Sequence, residues 1–218
     1  SLVPLTEPYS ALGFTVVGYQ SIRSIPQSVL AVSGNDAIVD WVWLELRDAI
    51  TPTTIRAARP ALVQRDGDVV ELDGTRPVAM GIANGSYKVV LRHRNHLGVM
   101  TANDVTLSGT VSTVNLKLFA TATYGTEARQ DVSGTQVLWC GNSRLDNSVK
   151  YTGSNNDRDP IVVFVGGTTP NNTVGGYRPE DVNMDGTVKY TGSGNDRDPI
   201  LVGVGSTVPN NVRVEQLP

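Results

Sequence analysis

KYTGSNNDRDPI at residues 150–161 returns as KYTGSGNDRDPI at residues 189–200, a spacing of 39 residues. The tails TTPNN at 168–172 and TVPNN at 207–211 follow in the same register. A match of this length indicates a duplication. Two copies are too few for a solenoid, which needs at least three to cover its stacked core, so the sequence predicts one compact unit with approximate two-fold symmetry.

The segment before the second copy begins like an EF-hand calcium loop. Oxygen-bearing side chains stand at positions 1, 3 and 5 of DVNMDGTV, residues 181–188, and glycine follows at position 6. Alternation turns three oxygens inward, and the glycine permits a sharp turn around a hard cation. Position 12, which closes an EF-hand with a carboxylate, is Gly192 here, so a later acid must close the loop. The expected ligands to Ca2+ are Asp181, Asn183, Asp185, the carbonyl of Thr187, and Asp196 or Asp198.

The loop of the first copy is degenerate. Asn142, Arg144 and Asp146 occupy the matching positions, so one carboxylate has become an amide and one amide has become a cation. Two readings stay open: Arg144 replaces the ion, or Asn142 and Asp146 hold calcium together with Asp157 and Asp159. For both copies the alternative is a chain of Asx turns that needs no ion, although clustered carboxylates without a basic partner repel each other.

Each copy also contains a signal for the start of a helix. In Asp-Arg-Asp-Pro, Asp159 or Asp198 can cap the first turn, and proline follows at the first helical position. Short helices are expected after both loops. The β-branched residues that follow keep a strand as the alternative.

The first 137 residues have the alternating pattern of short strands, bounded by glycine, asparagine and aspartate. This favours an antiparallel β-sandwich of immunoglobulin or jelly-roll type, with a β-sandwich domain over 1–137 and the tandem calcium-loop unit over 138–218. The predicted strands are Gly13–Gly18, Ala37–Arg47, Thr54 onward, Val69–Leu72, Tyr87–Arg92 and Val114–Leu118.

Two calcium loops, each followed by a short helix, resemble a dockerin with longer loops. More closely, residues 88–105, containing LRHRNHLGVM, and the segment from Asp181 to Pro218 resemble the C-terminal region of large secreted surface proteins of Bacteroidetes-type bacteria. The resemblance covers nearly the whole chain. It implies an extracellular or cell-surface address and tandem metal loops more than it implies an activity.

Several residues of types that often bind metals, act as nucleophiles or stack on sugars have simpler structural interpretations here. His93 and His96, read as one strand, fall on opposite faces and cannot easily share a metal. Cys140 has no adjacent histidine and reads as a buried thiol. Trp41 and Trp43 share one face of a strand, which is either core or a platform that stacks on sugars, and core is favoured.

Charge and hydropathy exclude some partners. Eighteen Lys and Arg against 21 Asp and Glu give a net charge of -3, which does not suit nucleic-acid binding, and no apolar run is long enough to span a membrane. The start at Ser1, without methionine or a signal pattern, is expected of a processed or truncated chain.

These observations favour a non-enzymatic structural or adhesive subunit of an extracellular bacterial assembly that is stabilised by calcium. The chain ends, Val3–Leu5 and Val212–Leu217, read as extended segments that could add a strand to a neighbouring copy and build a fibre. The alternatives are that both ends pair within their own chain, or that the protein is a module that binds surface glycans or a cohesin-like protein.

Overall fold

The computed structural model describes residues 2–18 and 24–218. Strands account for 31% of the chain and helices for 8%, and the strand pairs are antiparallel, which confirms a mainly β protein. A short 3-10 helix covers Val29–Ala31. The remaining elements are β1 (Ile38–Asp48), β2 (Ile55–Gln64), β3 (Val69–Val70), β4 (Gly85–His93), β5 (His96–Met100), β6 (Val105–Leu107), β7 (Gln130–Val132), β8 (Thr135–Val137), β9 (Ser148–Lys150), α1 (Arg158–Phe164), β10 (Thr173–Gly175), β11 (Thr187–Lys189), α2 (Arg197–Val204) and β12 (Val212–Val214).

One six-stranded sheet organises the first part of the chain, in the order β3-β2-β1-β4-β5 with β6 beside β4. Trp41 and Trp43 point to the same face of β1 and are fully buried, because Tyr9 and Phe14 from the N-terminal segment pack over them. The tryptophans are therefore core, as favoured above. A sugar-stacking role for this face is ruled out by its burial.

The opposite face of the sheet is not covered by another large sheet. Among the described residues the other sheets are all two-stranded, so the second layer that a sandwich requires is not formed. Instead, the irregular segments 76–80 and 108–116 border an open groove of 1020 Å³ over Leu46 and Leu91.

Two of the predicted strands are not formed. Asn115 accepts the N–H of Lys117 on its side chain, and its carbonyl accepts the N–H of Leu118, so a turn replaces the strand predicted over Val114–Leu118. Local bonding by asparagine competes with strand pairing. The segment Gly13–Gly18 makes a single bridge, from Val17 to Ala58, between two glycines with positive φ.

The two repeats pair reciprocally. The last strand of the first repeat, β10, pairs with β11 of the second, and the last strand of the second repeat, β12, pairs with β9 of the first. Side chains bridge the copies in the same way, since Thr152 donates to the carbonyl of Pro209 and Thr191 to that of Pro170. Equivalent residues of both copies fill one core, namely Val149 and Val188, Ile161 and Ile200, Val165 and Val204.

Helices after both loops are confirmed, but they start earlier than predicted. Asn156 accepts the N–H groups of Arg158 and Asp159, and Asn195 does the same in the second copy. The asparagines therefore supply the bonds of an N-cap, a role that the sequence assigned to Asp159 and Asp198. With seven and eight residues, α1 and α2 are short, and no described helix has the length and apolar character needed to cross a membrane.

The C-terminal tail continues from β12 onto the large sheet. Glu215 accepts two bonds from Arg92, at 2.8 and 2.9 Å, and one from the backbone of Gly98 at 2.7 Å. Arg92 also pairs with Glu45 on β1. The tail thus ties the repeat unit to the sheet, and its strand pairs within its own chain.

Candidate functional site

The second loop is held by bonds between its own side chains and backbone. Asp181 accepts the N–H groups of Asp185 and Gly186 at 3.1 and 3.0 Å, one on each carboxylate oxygen. Asn183 accepts from Asp185, and Asp185 accepts from Thr187, both at 2.9 Å. The side-chain oxygens at positions 1, 3 and 5 therefore accept backbone N–H groups of one tight turn, which is the chain of Asx turns given above as the alternative to an ion site.

Asp196 lies at the centre of this loop. Its carboxylate is fully buried and accepts three backbone N–H groups, from Val182 and Asn183 on one oxygen and from Lys189 on the other. These bonds tie the start of the loop to β11. Burial raises the pKa of Asp196 to about 6, although the N–H groups favour its charged form, and the nearby charge of Asp181 adds to the rise.

The first copy has the same central aspartate. Asp157 is fully buried and accepts from Arg144 N at 3.2 Å and from Lys150 N at 2.7 Å, which are the equivalents of Asn183 and Lys189. Burial raises its pKa to about 7. Its bonds to the backbone N–H groups of Arg144 and Lys150 give this aspartate a structural role in the first loop.

Asp159 and Asp198 lie outside the loop centres. Both are exposed, and each accepts the side-chain amide of the capping asparagine, Asn156 or Asn195, at 2.9 Å. This bond orients the cap at the start of the helix. Of the two acids proposed to close the second loop, Asp196 is thus the one that contacts it.

The first loop contains a positively charged side chain, that of Arg144. Asn142 and Asp146 bond to each other through backbone and amide groups, and Asp146 also accepts from Ser148. The guanidinium of Arg144 lies 3.6 Å from the carboxylate of Asp146. This contact favours the reading in which Arg144 takes the place of an ion.

No group of three or more His, Cys, Asp or Glu side chains within residues 2–18 and 24–218 is arranged to hold a metal ion. The carboxylates of Asp181 and Asp185 are turned to backbone N–H groups in the second loop. Burial raises the pKa of Asp181, so its charged form is costly as the loop stands. The donor types still fit a hard cation, since they are carboxylate, amide and carbonyl oxygens.

A second polar cluster joins the sheet to the repeat unit, and the sequence did not reveal it. His93 and His96 are cross-strand partners on either side of the two-residue turn Arg94-Asn95, with 2.8 Å between their Nδ1 atoms. The prediction that they fall on opposite faces was wrong, because it treated residues 93–96 as one strand. Their turn carries no glycine or proline that would have marked it.

The turn inserts into the second loop. Asn95 is fully buried, and its amide donates to the carbonyl of Asp181 at 2.7 Å. Arg94 is also buried and lies between Asp40, at 3.4 Å, and Asp181, at 3.9 Å. Burial would raise the pKa of Asp40, but bonds from His93 and Tyr177 and the charge of Arg94 outweigh it and lower that pKa.

Cys140 has the properties expected of a buried thiol. It is half-buried and free, and burial raises the pKa of the thiol. A raised pKa disfavours the thiolate that a nucleophile needs.

This chain matches no protein-family model, no curated protein and no solved structure.

Proposed function

We propose that this protein is a non-enzymatic structural or adhesive subunit of an extracellular bacterial assembly, and that calcium bound by its second loop stabilises the repeat unit. The observation that carries the proposal is the reciprocal strand pairing of the two repeats around two buried aspartates. A closed unit of this kind gains rigidity from ligation at its loops, which an unfolded chain cannot match.

Calcium has a physical reason to bind the second loop. Asp181 and Asp196 are both almost fully buried. The charge of Asp181 adds to the raised pKa of Asp196, and the charge of Asp185 adds to the raised pKa of Asp181. A divalent cation would offset this repulsion and the cost of burying the charges. Asp185 and Asn183 would supply further oxygens, and Thr187 its carbonyl.

The proposed partner is another copy of this chain. In the single chain β12 already pairs with β9, which does not favour free donation of residues 212–217 to a neighbour. Assembly with neighbours therefore relies on exchange of this same strand between copies.

Two measurements on the purified protein test this proposal. With calcium, analytical ultracentrifugation at high protein concentration should show oligomers, and removal of residues 212–218 should abolish them. The truncated chain should also melt at a lower temperature, since it loses the β9 pairing and the Glu215 bonds. A protein that stays strictly monomeric with calcium present would contradict assembly.

The second candidate is a binding module of a larger secreted surface protein, for glycans or a cohesin-like protein. It is favoured by the open groove of 1020 Å³ on the large sheet, because clefts of about this size are where proteins usually bind small ligands. A monomer whose groove residues change their NMR shifts on addition of a glycan would support it.

A further inference from the structure

The helices α1 and α2 carry the same three kinds of surface side chain at equivalent positions. The aspartate and the valine of each set are four residues apart, so they lie on one face of the helix, and the arginine stands beside the aspartate. The sets, called here the α1 patch and the α2 patch, are Arg158, Asp159 and Val163 in α1 and Arg197, Asp198 and Val202 in α2.

The valines of the two patches do not pack within the chain. Val163 is 70% exposed and Val202 is 59% exposed. The other face of each helix enters the core, where Ile161 and Ile200 are fully buried. A β-branched side chain on the surface of a helix loses rotamer freedom and gains no packing in return. Contacts within the described part of the chain therefore do not account for a valine at this position in both copies.

The arginines of the patches have donors that the chain does not use. The Cζ atom of Arg158 lies 4.4 Å from the ring centre of Tyr151. In the second copy the distance from Arg197 to Tyr190 is 4.6 Å. In the part of the chain that the structure describes, neither guanidinium has a hydrogen bond or an ion pair. Nε is buried in both, so an acceptor from outside can reach only the Nη groups, and the stacked ring holds these in place.

The aspartates of the patches add acceptors. Asp159 and Asp198 are exposed, and each accepts the amide of its capping asparagine on Oδ2. Their Oδ1 atoms have no bond within the described residues. A ligand with a single sign of charge would be repelled by either the arginine or the aspartate of a patch. A second patch in the reverse orientation fits both, since the arginine of one meets the aspartate of the other.

We propose that the α1 and α2 patches bind the equivalent patches of other copies of this chain, through reciprocal Arg–Asp pairs beside the exposed valines. The proposal rests on the function proposed above only in that the partner is another copy, and it needs neither strand exchange nor calcium. A chain with two such patches can contact two neighbours. Each patch is one face of a helix of seven or eight residues, so the contact is small and weak by itself. It adds to strand exchange within an assembly, where the neighbours are already close.

The test is NMR of the full-length chain in EDTA, at protein concentrations from about 0.05 to 2 mM, a range suited to weak contacts. The shifts of both patches should change together as the concentration rises. Val163→Glu with Val202→Glu should weaken this association by at least about tenfold. Both positions are exposed, and glutamate favours a helix more than valine does, so the fold is kept. The matched control, Ile50→Glu with Val132→Glu, adds the same charge at exposed positions elsewhere and should associate as the unchanged protein does.

Charge reversal tests the Arg–Asp pairing itself. One chain carries Arg158→Glu with Arg197→Glu, and a second carries Asp159→Arg with Asp198→Arg. Each alone has patches of a single sign and should show no association, whereas an equal mixture should associate at least as tightly as the unchanged protein. Circular dichroism verifies that both chains keep their helices. Shifts that do not depend on concentration in the unchanged protein would overturn the proposal, as would a mixture that does not associate.

The two proposals fail separately. Concentration-dependent shifts at the patches, in a protein that sediments as a monomer with calcium, would contradict strand exchange and support the patches. Stable oligomers that persist unchanged in the double valine variant, without concentration-dependent shifts at the helices, would support strand exchange and overturn the patches.

Discussion

The two repeats have nearly the same backbone but different chemistry at their loops. Asp157 and Asp196 are buried in the same place and accept N–H groups from equivalent residues. Around them, the second loop has Asp181 and Asn183 where the first has Asn142 and Arg144. The comparison separates two roles: the central aspartate accepts backbone N–H groups in both copies, whereas the outer oxygens of the proposed calcium site are complete only in the second copy.

The largest effect is expected from removing the central aspartates. Asp196→Ala leaves three backbone N–H groups without their acceptor, and Asp157→Ala leaves two. All five are at least partly buried, so each variant should lower the free energy of unfolding by about 3 to 5 kcal/mol. Chemical denaturation measures this. The exposed Asp198→Ala is the control and should change little. If only the second-copy variant is destabilised, the shared role of the aspartates is wrong.

The next effect concerns the outer oxygens. Calcium at about a hundredfold excess over its dissociation constant should stabilise the protein by about 3 kcal/mol. Asp185→Ala should abolish this gain, because it removes one of the proposed ligands of the second loop, and the matched variant Asp146→Ala should retain it. Thermal melting with calcium and with EDTA gives both values. Loss of the calcium response in Asp146→Ala would place the ion in the first loop.

A smaller effect is expected from pH. The pKa of Asp157 is about 7 in the folded chain, against an ordinary value of 3.8. Between pH 4 and pH 7, Asp157 therefore keeps its proton in the folded state and has lost it in the unfolded state. Its contribution to stability therefore falls as pH rises from 4 to 7. In EDTA, the free energy of unfolding of the unchanged protein should rise between pH 8 and pH 5. In Asp157→Asn this rise should be smaller by about 2 kcal/mol.

His96 acts in the opposite direction, which is why the pH comparison needs a variant. Its pKa is lowered by burial, so the unfolded chain takes up a proton below about pH 6.5 that the folded chain does not. The two variants Asp157→Asn and His96→Gln should therefore change the slope of stability against pH with opposite signs. Equal slopes in both would contradict the opposite directions of these two pKa shifts.

The sequence predicts those features of the fold and of the loops that are formed by residues close together in the chain. The duplication, the helices after both loops and the turn at Asp181–Gly186 follow from residues close in the chain, and the structure has them. The pairing of His93 with His96 across a turn without glycine, and the bond from Asn95 to Asp181, join residues that only the fold brings together. The missing second sheet likewise depends on long-range packing that alternation cannot report.

The smallest change in stability is expected from making the first loop resemble the second. Asn142→Asp with Arg144→Asn removes a partly exposed ion pair, which costs about 0 to 1 kcal/mol without calcium. It restores the oxygens at positions 1, 3 and 5, so the double variant should bind one more calcium ion per chain. Unchanged calcium binding would mean that these positions do not decide ion binding.

Counting calcium by isothermal titration of the chelator-treated, full-length chain tests the central claim most directly. We predict one ion per chain for the unchanged protein and none for Asp185→Ala, because only the second loop combines Asp181, Asn183 and Asp185 around a buried Asp196. A protein that takes up no calcium, or one that binds it equally well after Asp185→Ala, would contradict the account.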